Sequence, residues 1–302
     1  MTVLPIDAEL DGERLDAALS YLFPDQSRSR FQKLIKEGHV FVNQAVTLKP
    51  GLRLNEGDTV GVDIPAPAEL SVLPEEMDLD IVYEDADVIL VNKPKGMVVH
   101  PAAGHYSGTL VNGLLAHCTD LSGINGVLRP GIVHRIDKDT TGIVIACKND
   151  RAHNAVAAQL KAHTIRRRYY AIVTGNLKED EGCVDAPIGR NPSDRKKMAV
   201  VPDGKNAVTH YRVLERFGQY TFIECALETG RTHQIRVHMA HIGHPLLGDE
   251  VYSKAKSRFR TEGQCLHAYM LGFVHPSTGE YMEFTSELPD GFKKILNELR
   301  ND

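Results

Sequence analysis

Cysteine is scarce and badly placed for bridging. There are five, Cys118, Cys147, Cys183, Cys225 and Cys265, an odd number with no Cys-x-x-Cys pair. That excludes a disulfide framework and a cysteine-built zinc site, and it implies free thiols in a reducing compartment. Long apolar runs are missing too: none approaches the roughly 18 residues of a membrane span. The N-terminus carries Asp7, Glu9, Asp11 and Glu13 with no early Lys or Arg, so no signal peptide is expected and the chain reads as cytoplasmic. Also absent are Gly-x-Gly-x-x-Gly and Gly-x-x-x-x-Gly-Lys, the loops that cradle nucleotide phosphates, and His-Glu-x-x-His. What is present suits an ordinary soluble enzyme. At 302 residues, 42% hydrophobic and 25% charged, the chain can bury one large core and support a small module besides.

The net charge of −5 argues at first sight against a nucleic-acid binder, but its distribution matters more. Residues 1–76 hold 13 acidic and 7 basic side chains, and the remainder is close to neutral. Within the acidic part, residues 27–53 carry Arg28, Arg30, Lys33, Lys36, Lys49 and Arg53 against Glu37 alone. Lys161, Arg166, Arg167 and Arg168 form a second basic cluster, and Arg190, Arg195, Lys196, Lys197 and Lys205 a third. At a Debye length of about 8 Å such local patches, more than total charge, set the attraction for phosphate.

Pro65, Pro67 and Pro74 forbid a continuous helix and mark residues 64–76 as a linker between domains at 1–63 and 77–302. Before it, Leu15, Ala18, Leu19 and Leu22 repeat at helical spacing. Ser27 or Ser29 can cap a second helix that turns Phe31, Leu34 and Ile35 inward, sets Arg28, Arg30 and Lys33 outward, and stops at Gly38. Short strands follow at Val40 and Val42 and at Val60 and Val62. Beyond the linker, strands are expected at 87–92, 142–147 and 169–173, with a hairpin at 208–217 and 221–227. Helices are expected around Ala152–Leu160, at Gln234–His241 and at Phe292–Leu299. The pattern predicts an α+β, mixed α/β protein with a mostly antiparallel sheet.

Val133-His134-Arg135-Ile136-Asp137-Lys138-Asp139-Thr140-Thr141-Gly142 crowds an imidazole, a guanidinium and a carboxylate into four positions. Polar groups packed that densely beside a core each need a partner, so a purely structural segment gains nothing from them. Read alone, Asp137 could still be a solvated loop carboxylate, with Asp139 or Thr140 capping a turn.

His134-Arg135-Ile136-Asp137-x-x-Thr140-Thr141-Gly142 resembles the H-R-[LI]-D-x-x-[ST]-[ST]-G motif of RNA pseudouridine synthases of the RluA type. Three further blocks follow that family's order. Val91-Asn92-Lys93-Pro94-Lys95-Gly96 resembles its N-K-P-x-G, and Arg167-Arg168-Tyr169-Tyr170-Ala171 its basic-x-Tyr-x-Ala. Thr229-Gly230-Arg231-Thr232-His233-Gln234-Ile235-Arg236-Val237-His238 resembles its T-G-R-x-H-Q-[IL]-R-x-H. The first 63 residues resemble the S4 RNA-binding domain through Arg14-Leu15-Asp16, Ser27-Arg28-Ser29 and Gly38-x-Val40-x-Val42-Asn43.

The resemblance implies a pseudouridine synthase fold, a long mixed sheet with a central cleft, behind a small S4 domain. It implies conversion of uridine to pseudouridine, in which the N1–C1′ bond breaks and the base rejoins through C5. That isomerisation has no net redox change, so no cofactor or metal is expected. Asp137 would be the catalytic carboxylate, and an ionised carboxylate in a dry cleft requires a cation, which the family places at Arg236. Tyr169 would stack on the target base, and Arg135 would fill the space a flipped uridine vacates. His134, Thr141 and Arg231 would line the substrate site, while Arg28, Arg30 and Lys33 would face RNA phosphates. The chain is similar to the ribosomal large-subunit branch that modifies a stem-loop of 23S rRNA, and it is expected to act as a monomer away from membranes. Two rivals stand beside this reading. His233, His238, His241 and His244 could suggest a zinc hydrolase, although His233 is rotated well away from His238 on a helix. A non-catalytic RNA-binding protein could also keep the fold.

Overall fold

The structure, a computed structural model, describes residues 2–23, 28–63, 72–102, 105–124, 129–194, 197–253 and 257–302. The chain divides into two compact units, residues 1–69 and 70–302. Among the described residues no helix is long and apolar enough to cross a membrane.

The first unit contains β1 (Thr2–Pro5), α1 (Leu15–Leu22), α2 (Arg28–Lys36), β2 (Val40–Val42), β3 (Ala45–Val46) and β4 (Thr59–Val62). Its strands form an antiparallel sheet in the order β1-β4-β2-β3. Leu15, Leu19, Phe31, Leu34 and Ile35 are fully buried between helices and sheet, which is why their helical spacing shows in the sequence. Asp16 is buried among them and accepts hydrogen bonds from Arg14, Arg28 and Gln32, which fastens the two helices together. Ser29 lies inside α2 and not at its cap, whereas Ser27 falls outside the described residues.

The linker expected at 64–76 needs correction at its far end. Residues 64–71 lie outside the described residues, but 72–76 are packed onto the second unit. Val72 joins its core, Asn112 Nδ2 donates to the Leu73 carbonyl at 2.8 Å, and the Glu75 amide donates to the Asn112 carbonyl at 3.0 Å.

The second unit runs β5 (Ile81–Glu84), β6 (Val88–Lys93), α3 (Leu110–His117), β7 (Thr141–Cys147), α4 (Asp150–Lys161), β8 (Arg166–Thr174) and β9 (Glu181–Asp185). It continues through β10 (Ile188–Arg190), β11 (Met198–Val200), β12 (Val208–Arg216), β13 (Tyr220–Leu227), α5 (Gln234–His241), β14 (Leu266–Val274), β15 (Tyr281–Thr285) and α6 (Asp290–Arg300). Nine strands form one mixed sheet, ordered β5-β6-β7-β14-β8-β13-β12-β9, with β15 on β14 and a separate β10–β11 hairpin. Every pairing is antiparallel except β7 with β14, which touch in parallel only at Thr141–His267 and Gly142–Ala268. Gly142 makes that approach possible: its φ is +110° and a Cβ there would stand 2.2 Å from the Ala268 carbonyl oxygen. Helix α4 covers one face over β6, β7 and β14, and α6 covers β8 and β13. The larger core lies on the other face, where α3 and α5 pack.

Candidate active site

The loop that carries Asp137 ends where β7 meets β14, at the centre of the sheet. Lys93, at the end of β6, anchors it from below. This lysine is fully buried, and its ammonium donates to the carbonyls of Pro94, Met97 and Lys138 at 2.8, 2.9 and 2.9 Å. Burial pushes its pKa down to about 7, opposed by the charges of Asp139 and Asp137. The Asn-Lys-Pro block therefore clamps the Asp137 loop through backbone.

Asp137 Oδ2 accepts from Arg236 Nη1 at 2.9 Å, across 99 positions of sequence. Arg236 is 5% exposed, and two more of its donors are taken by Asp249, from Nε at 2.7 Å and Nη2 at 2.9 Å. Asp249 is itself enclosed and accepts from the amides of Val251 and Tyr252, so neither member of this pair can turn freely. Burial opposes the Arg236 charge, but the bonds to Asp249 and the charge of Asp137 outweigh it and raise its pKa. The Tyr252 ring lies 5.2 Å below the guanidinium.

His233 caps α5 in the left-handed region, with φ 57°, and its Nε2 stands 3.9 Å from Asp137 Oδ1. A histidine held there needs over-determining contacts. One is the 2.8 Å bond between Nδ1 and the Tyr252 hydroxyl, which in turn accepts from the Met198 amide. Burial lowers the His233 pKa despite the nearby Asp137, so the ring is neutral at physiological pH. Tyr169, on β8, is 7% exposed, and burial raises its pKa, keeping the phenol protonated.

Asp137, Tyr169, His233 and Arg236 line a cleft of about 870 Å³, shared with His134, Arg135, Thr140, Arg167, Gly230, Arg231 and others. Arg135 is exposed at its wall, and no ion pair joins it to Asp139 among the described residues. His134 also lines the cleft, but its Nε2 is occupied by the Ile145 amide at 3.1 Å, and burial with the nearby Arg167 holds its pKa down to about 3. Arg231 donates through Nε to the Asn206 carbonyl at 2.8 Å.

Some expected members stand elsewhere. Thr141 is buried in β7 with its hydroxyl 2.8 Å from His267 Nδ1, because strand alternation turns it away from the cleft; Thr140 lines the wall instead. Among the described residues the four histidines join no metal-ligating cluster. His238 sits between Thr209 Oγ1 and the Ala186 carbonyl, and His244 bonds the Thr174 carbonyl. In the first unit Arg28 spends Nε and Nη2 on Asp16 at 3.1 and 3.2 Å, a structural use that its outward helical position did not foretell. Lys33, on the same helix, makes a loose 3.6 Å pair with Glu37. The third basic cluster is described only in part, since Arg195 and Lys196 lie outside the described residues. Sequence reasoning missed Asp249 and Tyr252 altogether. Their only signal was a turn-like Pro-Leu-Leu-Gly-Asp run, and nothing local tied it to Asp137.

Residues 87–241 match the RNA pseudouridylate synthase family and residues 13–60 match the S4 domain. The solved structure of human RNA pseudouridylate synthase domain containing 4 has a TM-score of 0.57 at 25% identity, over 73% of this chain and 92% of that one. Fold and cleft thus define a two-domain enzyme, an S4 module followed by a catalytic domain of pseudouridylate synthase architecture. An uncharacterised RNA pseudouridine synthase of Bacillus subtilis, YlyB, is 55% identical over 97% of this chain and 96% of its own length. The ribosomal large subunit pseudouridine synthase D of Zymomonas mobilis is 48% identical, covering 97% of each. The chain belongs to the RNA pseudouridylate synthase family, and it is an isomerase acting on uridine in RNA.

Proposed function

We propose that this enzyme converts uridines in a stem-loop of 23S ribosomal RNA, with Asp137 as the catalytic carboxylate and no cofactor. The observation that carries the catalytic assignment is the geometry of Asp137. One oxygen is held by an arginine that Asp249 locks in place, while the other accepts no hydrogen bond among the described residues and stands 3.9 Å from His233 Nε2. A carboxylate oriented through one oxygen and open at the other can meet the sugar of a bound uridine without first reorganising. Tyr169, with a protonated phenol in the same wall, supplies a flat surface for the extruded base. The cleft volume suits a nucleotide. The ribosomal target rests on relatives such as the Zymomonas mobilis protein, whose names specify the large ribosomal subunit.

The test is single-turnover conversion of a 23S stem-loop by wild type and by Asp137→Asn in excess chelator. Wild type should be indifferent to chelator. The variant should bind RNA normally and convert less than about one part in a thousand as fast. Turnover by the variant above that level would remove Asp137 from its role, and loss of wild-type activity in chelator would reinstate a metal. Pseudouridine mapping in a deletion strain checks the target, and sites lost only from tRNA would overturn it.

A further inference from the structure

The arginines of the catalytic unit are accompanied in ways that differ sharply. Arg236 has two carboxylates, and Arg168 and Arg212 share Glu224 at 2.9 and 3.4 Å. Arg167 has none: among the described residues no carboxylate lies within 4.0 Å of it, although its residue is only 8% exposed. Its one hydrogen bond among the described residues runs from Nη2 to the neutral Glu228 carbonyl at 3.2 Å. Nε is enclosed and has no hydrogen-bond partner among the described residues. Strand alternation explains the contrast with Arg168, since Arg167 and Tyr169 face the cleft side of β8 while Arg168 turns to the opposite face.

The site is built around this cation. Gly230 has no positive φ to explain it, yet a Cβ there would stand 2.5 Å from Arg167 Nη1. Glycine at that position is what lets the guanidinium lie against the Thr-Gly-Arg turn. Two residues along the strand, roughly 6.6 Å away, is Tyr169. The Tyr169 phenol feels both the Arg167 cation and the Asp137 anion, so it stands within electrostatic reach of each.

A buried guanidinium without an anion is costly, and a neutral carbonyl cannot repay that cost. Among the groups of an RNA strand, only the phosphodiester carries the charge that would. The geometry points to Arg167 as the phosphate-binding residue of the cleft, which grips a phosphodiester flanking the target uridine once that nucleotide enters. A uracil carbonyl as the ligand would leave the charge uncompensated. This inference rests on the Asp137 cleft being the seat of the target uridine. It adds a contact that the extruded base alone does not supply.

The experiment replaces one phosphodiester at a time, 5′ and then 3′ of the target uridine, with an uncharged methylphosphonate. Single-turnover kcat/KM is then measured for wild type and Arg167→Met. For wild type, one of the two replacements should cost about ten- to hundredfold, as expected when a charge-assisted bond is removed. On unmodified RNA, Arg167→Met should lose a similar factor, and it should lose little more on the methylphosphonate. Arg167→Lys should recover part of the loss, and Gly230→Ala, which displaces the guanidinium, should mimic Arg167→Met. Thermal unfolding separates this from a structural role: removing an uncompensated buried charge should leave the melting temperature of Arg167→Met at or above wild type. Wild type insensitive to both replacements, or a variant that still loses the full factor, would overturn the proposal. An Asp137→Asn enzyme that still converts the unmodified stem-loop would instead bring down the reading of the cleft itself.

Discussion

Asp137 and Asp249 grip the same guanidinium, and their neutral amides should nevertheless fail in different ways. Asp249 is enclosed, bonded twice to Arg236 and twice to backbone amides, so Asp249→Asn sets an NH₂ group against an arginine donor inside the protein. Breaking one side of a buried ion pair costs about 3–5 kcal/mol, and because Asp137 stays to neutralise Arg236 the lower figure applies. For a unit of this size, about 3 kcal/mol lowers the melting temperature by roughly 6–12 °C. Arg236 would also loosen, and misplacing a catalytic carboxylate by about 1 Å costs on the order of a hundredfold in rate. Asp137 is half-buried with a single bond to Arg236, which keeps Asp249 when Asp137 is replaced. Asp137→Asn should therefore melt within about 1 kcal/mol of wild type while conversion is abolished. Calorimetry and single-turnover assays on the two proteins decide the matter. Equal losses of melting temperature, or an Asp249→Asn enzyme that melts and turns over like wild type, would refute the division of labour.

Arg30→Ala with Lys33→Ala should flatten the salt dependence of RNA binding by about 0.7–0.9 in log–log slope for each phosphate left without its cation, with turnover at saturation unchanged. An unchanged slope in a filter-binding titration would remove the first unit from the electrostatics. Arg28→Ala should in addition destabilise that unit by about 1–3 kcal/mol, because it strips buried Asp16 of two bonds; denaturant melts of the two kinds of variant should differ accordingly. If Arg135 fills the gap left by a flipped uridine, Arg135→Ala should slow a structured stem-loop by about ten- to several-hundredfold and an unstructured oligonucleotide much less. Equal slowing on both would instead make it a positioning group for substrate. His267, 1% exposed, has its pKa pushed down to about 4 by burial, below the ordinary 6.5. The unfolded chain then binds the extra proton between those values, so stability falls as pH falls through 6.5 toward 4. Its share is about 2 kcal/mol at pH 5. Melting temperatures measured from pH 7 to 5 should fall less steeply in His267→Gln, and parallel curves would exclude this histidine.

Much of the architecture was legible because it is locally encoded. The helices at Leu15–Leu22, Arg28–Lys36 and Gln234–His241 announce themselves by apolar spacing or by a glycine stop, and the hairpin of β12 and β13 by alternation around Gly218-Gln219. The motifs around Asp137, Tyr169 and Arg236 were equally readable, since each is a short string of residue types. Other elements carried no such sign. Strand β1 pairs with β4 some sixty residues away, and β14 joins β7 and β8 from near the end of the chain. Their edges are matched by topology and not by neighbours in sequence.

The same line divides the candidate site. Sequence alone determined which side chains could do the chemistry, but it could not say which of them are already occupied. Arg28 looked free and is tied to Asp16; Thr141 looked like a site residue and faces His267. Asp249, unmarked by any motif, fixes the guanidinium that orients Asp137, whereas Arg167, one of three adjacent arginines, is the one left buried without an anion. Each difference has one physical cause. A polar group's role depends on which charges, carbonyls and hydroxyls the sheet brings within about 3 Å of it, and those partners arrive from as far as 99, 61 or 126 positions away.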